Sequence, residues 1–233
     1  MRSDFNLILL RHGQSVYNRE HRFTGWTDVG LSPTGEVEAR RAGRLLRREG
    51  LEFDIAFTSL LKRAIRTLWI VSEEMELEWV PVTKAVELNE RHYGALQGRT
   101  RAEVEAEFGA DQVHLWRRGY RETPPLLDPE DPRCPQFDRR YTGLPRDRLP
   151  RAESLADVTA RLVPFWKERI APQVRSGRRV IVVSHGNTLR ALTKEIEGIS
   201  DHEISEVEIP TGAPVVYELD SDLRPLSRRL SAD

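Results

Sequence analysis

Two short apolar runs, each ending in a histidine–glycine pair, constrain this chain more than any other feature. "NLILL" leads into Arg11-His12-Gly13, and "RRVIVVS" leads into Ser184-His185-Gly186. A short continuous apolar run closed by a glycine turn reads as a fully buried strand. Strands buried on both faces belong to parallel sheets covered by helices. A histidine leaving the carboxyl end of such a strand stands where open α/β sheets bind their ligands. Two of them, far apart in sequence, can face each other if their strands are neighbours.

The rest of the chain alternates in the same sense. Ser32 is a helix cap and Pro33 a first helical residue. Ala39, Ala42 and Leu46 then recur at helical spacing, and Gly50 supplies a stop. "FDIAFTS" reads as a strand. "LLKRAIRTLWIV" follows as a helix, with Ala64, Ile65, Leu68 and Trp69 facing inward. "WVPVT" reads as a short strand and "DQVHLWRRG" as a short helix. Residues 121–150 hold seven of the 14 prolines, a density that excludes long regular elements and predicts a surface excursion. A helix resumes near Ser154, with Leu155, Val158, Leu162 and Phe165 on one stripe and Pro164 as a kink. "NTLRALTKEI" is the helix leaving the second histidine turn. "APVVYELD" is the last predicted strand, placed near an edge because it begins with proline. The expectation is one α/β domain over 1–233, with a mostly parallel sheet between two helical layers.

With 233 residues, 39% of them hydrophobic, the chain is long enough for a sizeable core. A net charge of -1 gives no general attraction to nucleic acid or to a membrane surface. The single cysteine, Cys134, excludes an internal disulfide framework and a cysteine-rich metal site. "MRSDFN" lacks the apolar core of a signal peptide, and no run reaches membrane-spanning length, so the expected setting is the cytoplasm. No P-loop and no dinucleotide fingerprint occurs. No second histidine follows His185 at metal-ligand spacing.

What remains is a set of polar residues at element ends. His12, beside Gly13, is a nucleophile suited to phosphorus, and Arg11 can hold two oxygens of one phosphate in a planar fork. The plainer alternative is a hydrogen-bonded histidine at a strand end. His185, Gly186 and Asn187 stand at a helix start, where amides favour an anion; Asn187 can equally be a cap. Arg63, Arg91, His92 and the Arg117–Arg118 pair lie at further element ends. If these ends converge, they make a site for a small, multiply charged anion. Glu90 is the acid–base candidate, with an ion pair to Arg91 or Arg63 as the alternative.

These segments resemble the histidine phosphatase superfamily, also called the phosphoglycerate mutase-like family, and within it the cofactor-dependent mutases. The resemblance rests on "LLRHGQSVYNREHRFTGWTDVGLSPTG", "TSLLKRAIRTLW", "LNERHYGALQG", "WRRGY", "SHGNTLRAL" and "IPTGAPVVYEL", and covers nearly the whole chain. It implies the phosphoglycerate mutase-like three-layer fold. It implies interconversion of 2- and 3-phosphoglycerate through a phosphohistidine, primed by 2,3-bisphosphoglycerate and without a metal. The rival within the family is a dominant bisphosphoglycerate mutase or phosphatase activity. By resemblance His12 is the nucleophile, Arg11, Arg63 and His185 surround the phosphoryl group, and Glu90 is the general acid and base. Asn18 and Asn187 bind phosphate oxygens beside Gly186, Thr24 and Gly25 touch the carboxylate end, and Tyr93, Arg117 and Arg118 grip the distal groups. Arg101 stands where these mutases usually have a substrate-contacting lysine, and Gln14 where they often have glutamate. "SRRLSAD" ends soon after the last predicted strand, where longer members carry a tail over the site; the expectation is a higher ratio of bisphosphatase to mutase turnover. The family also implies a homodimer or homotetramer; in "WVPVT", Trp79 and Val80 are interface candidates, with a place in the core as the equal alternative.

Overall fold

The computed structural model describes residues 5–230; "MRSD" and the final "SAD" lie outside it. Six strands form one sheet: β1 (Phe5–Arg11), β2 (Ile55–Thr58), β3 (Val82–Lys84), β4 (Val180–Ser184), β5 (Pro214–Leu219) and β6 (Pro225–Leu230). Their order is β3-β2-β4-β1-β5-β6. The first four run parallel, and β5 and β6 are antiparallel additions. Eight helices accompany them: α1 (Val16–Arg19), α2 (Pro33–Arg48), α3 (Lys62–Met75), α4 (Arg101–Phe108), α5 (Ala110–Arg118), α6 (Leu155–Phe165), α7 (Ala171–Arg175) and α8 (Gly186–Glu197).

The alternation of side chains along buried strands makes the three layers. Leu7, Leu9, Val180 and Val182 face Leu155, Val158 and Leu162 of α6 and Leu189, Leu192 and Ile196 of α8. Ile8, Leu10, Ile181 and Val183 face Ala42 and Leu46 of α2 and Leu68, Val71 and Met75 of α3. Each strand thus feeds both cores with successive residues. Ser32 accepts from the Gly35 amide with Pro33 behind it, so α2 starts where its sequence says. α6 carries a full capping box between Ser154 and Asp157. Pro164 removes a donor inside α6, and the chain passes into a π-helical turn over Trp166–Ile170 before α7.

Several expectations need correction. Trp69 is 54% exposed and Ile65 only half-buried; the inner stripe of α3 runs through Ala64, Thr67, Leu68 and Val71. Phe165 is likewise only partly buried. Val80 lies in the core beside Val71 and Met75 rather than on the surface. β5 lies near an edge, one strand in from it. Its proline occupies the first strand position, which needs no ladder donor, and β6 covers its other side. β6 itself escaped notice because "PLSRRL" is polar and exposed almost throughout and carries no apolar run. The prolines of 121–150 do exclude long elements, and only 3-10 turns form at Pro135–Phe137, Arg139–Tyr141 and Arg146–Arg148. Yet the segment is anchored: Leu127, Cys134 and Tyr141 are buried, and Tyr141 packs 4.9 Å from the Trp26 ring.

The two-core arrangement makes a simple prediction. Leu68→Ala empties a filled position and should cost about 2–5 kcal/mol in denaturant unfolding. Val37→Ala, on the exposed face of α2, should stay within about 0.5 kcal/mol of the parent. Similar losses for both would contradict the assignment of faces.

Candidate functional site

The register of the central strands creates the site. β1 and β4 pair in parallel from Leu7↔Val180 to Arg11↔Ser184, so the next residue on each is a histidine. The His12 amide donates to the Ser184 carbonyl at 2.9 Å, and the two imidazoles meet edge-on, with centroids 5.0 Å apart. The turn after His12 has no room for side chains. A Cβ on Gly13 would lie 2.1 Å from the Gly35 carbonyl oxygen at the start of α2.

The hydrogen bonds settle the state of His12. Its Nδ1 lies 2.7 Å from the Gly13 carbonyl, which can only accept, so Nδ1 carries the proton. Nε2 is then a free base, and it accepts from Arg63 Nε at 3.3 Å. Burial, and then the charges of Arg63 and Arg11, hold the His12 pKa well below the ordinary imidazole value. The ring stays neutral and nucleophilic at Nε2. His185 is held low by burial first and then by Arg63, His12 and Arg11. Its Nε2 is 2.8 Å from Ser59 Oγ, and its Nδ1 is buried without a partner. With Ser59 donating to Nε2, Nδ1–H is left for an oxygen bound beside His12. Arg63 also donates to the carbonyls of Gly25 and Thr27, at 2.8 and 3.1 Å. Burial lowers its pKa to about 10, so it remains cationic at neutral pH.

A cavity of about 210 Å³ opens beside this pair. Arg11, Asn18, Thr24, Gly25, Glu90, Tyr93, Arg101, Arg117, Arg118, Gly186 and Asn187, all singled out from the sequence, line it. His12 and His185 are buried next to the lining residues Arg11 and Gly186, and buried Arg63 donates to the carbonyl of lining Gly25. Arg11 donates to the Ile209 carbonyl at 2.8 Å, and its Nε has no partner. The bare Gly186 lets that guanidinium pack 3.3 Å from where a Cβ would sit. Asn18 spends its Oδ1 on the Ser15 amide and hydroxyl in capping α1, which leaves its amide NH2 for an anion. The Tyr93 hydroxyl accepts from Arg91 at 2.9 Å and from Asn187 at 3.2 Å, so its own proton is free to donate.

Glu90 is nearly buried, and one carboxylate oxygen accepts from the Arg91 amide at 2.7 Å. Its backbone is clamped: Trp26 Nε1 and Arg161 donate to the Glu90 carbonyl at 2.5 and 3.1 Å. Arg161 in turn pairs with buried Glu153 at 2.7 Å, and Glu153 accepts from the His92 amide at 2.8 Å. Gln14 accepts from Ser32 Oγ at 2.8 Å and so braces the start of α2.

Sequence reasoning missed Arg22, Arg190 and Glu208 on the cavity wall and Ser59 behind His185. Arg190 stands one helical turn after Asn187, a spacing that could have exposed it. Arg22, Arg101, Arg117, Arg118 and Arg190 join Arg11, against the carboxylates of Glu90 and Glu208. Such a balance suits a ligand with several negative charges. Among the described residues, no group of three or more His, Cys, Asp or Glu side chains is placed to hold a metal ion. No helix among them is long and apolar enough to cross a membrane.

The chain is similar to several known proteins. The model of the histidine phosphatase superfamily (branch 1) matches residues 7–140 and 129–229. A Nitrosococcus oceani protein named 2,3-bisphosphoglycerate-dependent phosphoglycerate mutase is 58% identical over 227 residues, covering 97% of this chain and 95% of its own. Among solved structures, a mycobacterial glucosyl-3-phosphoglycerate phosphatase complexed with VO3 is similar, with a TM-score of 0.73 and 25% identity over 98% of each chain. A putative alpha-ribazole-5'-P phosphatase from Escherichia coli shares the fold at 20% identity, with a TM-score of 0.72 over 98% of this chain and 97% of its own.

The buried histidines set a pH dependence of stability. His92 is pulled down to about 3 by burial, then by the charges of Arg161 and Arg133. His12, His92 and His185 stay neutral in the fold, while the unfolded chain protonates them near pH 6.5. As pH falls, the unfolded state therefore binds more protons, and stability is lost below about pH 6.5. Each histidine contributes a slope of up to ~1.4 kcal/mol per pH unit. Unfolding free energies should fall steadily from pH 6.5 to 4.5, and His92→Gln should make the slope shallower. An unchanged slope in that variant would remove His92 from the account.

Proposed function

We propose, for a chain that belongs to the histidine phosphatase superfamily (branch 1), that this site interconverts 2- and 3-phosphoglycerate through a phosphoryl group carried on His12. The observation that carries this reading is the neutral His12, its unprotonated Nε2 accepting from Arg63, next in the chain to Arg11 in the wall of an arginine-lined cavity. The cavity also fits 2,3-bisphosphoglycerate. The unpartnered donor at Arg11 and the excess of arginine over carboxylate suit an anion charged at both ends. When bound, 2,3-bisphosphoglycerate supplies the phosphoryl group that primes His12.

The residues divide the work. Nε2 of His12 forms the bond to phosphorus as the oxygen–phosphorus bond breaks, and the reverse transfer returns the group to the other hydroxyl. Arg11, Arg63 and His185 meet the charge that spreads over the equatorial oxygens. Glu90 takes the proton of the hydroxyl that accepts the group, and returns it to the oxygen that gives one up. Asn18, Gly186 and the backbone amide of Asn187 hold oxygens of the phosphoryl group. Thr24, Gly25, Tyr93, Arg101, Arg117 and Arg118 hold the carboxylate and the group that does not move.

Self-association is part of this proposal. β3 is an outer strand, and around its open edge Trp79, Trp69 and Val82 are 76%, 54% and 40% exposed. A free edge flanked by apolar side chains suits pairing with a second copy about a two-fold axis. The proposed setting is the cytoplasm, in keeping with the buried free thiol of Cys134.

Conversion of 3- to 2-phosphoglycerate, followed with and without 2,3-bisphosphoglycerate, tests the chemistry. His12→Ala should abolish turnover, and Glu90→Gln should lower kcat by about 10²–10⁴. Full activity in either variant would overturn the assignment. Phosphate release outpacing isomer exchange would favour a phosphatase instead. For the assembly, sedimentation of the parent should show a dimer or larger, and Val82→Lys should shift it toward monomer.

A further inference from the structure

Arg190 lies on α8, three residues after Asn187, and is 4% exposed. Its guanidinium joins pieces of chain that are remote in sequence. Nη1 donates to Asn187 Oδ1 at 3.1 Å and to the Arg117 carbonyl at 3.4 Å. Nη2 donates to the carbonyls of Arg118 at 2.9 Å and Ile204 at 2.6 Å. Arg117 and Arg118 are the last two residues of α5, where helix carbonyls have no partner within the helix. A buried cation there satisfies them and complements the helix dipole. Burial lowers the Arg190 pKa to about 10, which leaves it charged at neutral pH.

The reach of this contact extends further. Asn187, held by Arg190 through its oxygen, turns its amide toward the Tyr93 hydroxyl. Arg190 thus orders Asn187 and Tyr93 on one wall and the ends of Arg117 and Arg118 on another. It makes no recorded contact with His12, Arg63 or His185. We propose that Arg190 is a positioning residue for the end of the substrate that does not react, acting through Arg117, Arg118, Asn187 and Tyr93. This rests on the reaction assigned above. Lysine cannot replace it, because a single ammonium lacks the planar fork that reaches carbonyls on both sides.

The test separates the two ends of the cavity. Arg190→Lys should raise the KM for 3-phosphoglycerate about 10- to 100-fold while kcat changes less than about threefold. Orthovanadate, which occupies only the phosphoryl end, should bind the variant within about twofold of the parent. In an Arg118→Ala background the same change should add much less than it does alone. An unmoved KM, an equal loss of orthovanadate affinity, or full additivity would each overturn the proposal. Turnover by the parent protein is the control that separates such a failure from failure of the assigned reaction. Should the variant not fold, arginine Nε–H spectra of the unaltered protein serve. The Arg190 signal should move with 3-phosphoglycerate and stay in place with orthovanadate; an equal movement with both would overturn it.

Discussion

The guanidinium of Arg63 is the contact on which the site depends. It is buried at the start of α3 and reaches three separate pieces of chain: the imidazole after β1 and the carbonyls of Gly25 and Thr27. Taking a charge out of water is costly unless hydrogen bonds satisfy it. Here a backbone oxygen meets each of its two Nη nitrogens, and Nε donates to His12. Burial first, and then this charge, keep His12 neutral, and the charge stands ready for an anion. One buried cation therefore orients the nucleophile, sets its protonation state and holds the loop that lines the cavity.

A second, partly buried arginine does comparable work for the acid–base group. Arg161 ties the Glu87, Asn89 and Glu90 carbonyls to Glu153, while Trp26 holds the Glu90 carbonyl from the other side. Tyr141, from the proline-rich segment, packs against Trp26 and accepts from Asn89. The excursion thus braces the back of the site. Glu90 sits on irregular backbone, yet that backbone is fixed at almost every carbonyl, as a group that must meet a substrate hydroxyl requires.

Much of this was legible in the residues. The two apolar runs before His12 and His185 declared their strands, and Ser32-Pro33 declared the start of α2. The cavity residues were readable as types at element ends, and the family resemblance joined them. Other features were not legible, for identifiable reasons. Trp69 is apolar and lies next to the inner stripe of α3, so helical periodicity alone placed it inward. Val80 and Trp79 are adjacent and alike in polarity, but the turn into β3 buries one and exposes the other. β6 is polar because it has an outer edge and little core to cover. Arg190 and Arg161 looked like surface charge in a chain rich in arginine.

By itself the sequence determined the alternating α/β pattern, the strand ends that carry the histidines, and the chemistry of a phosphoryl-binding family. These follow from local periodicity, turn chemistry and motif, which neighbouring residues specify. Tertiary structure alone decided that β1 and β4 are adjacent and in the register that sets the two imidazoles 5.0 Å apart. It also decided which arginines are buried and what each one holds. Strand order joins residues as far apart as Leu7 and Val180, and the buried Arg63 meets partners 36 to 51 positions away; no local pattern encodes either.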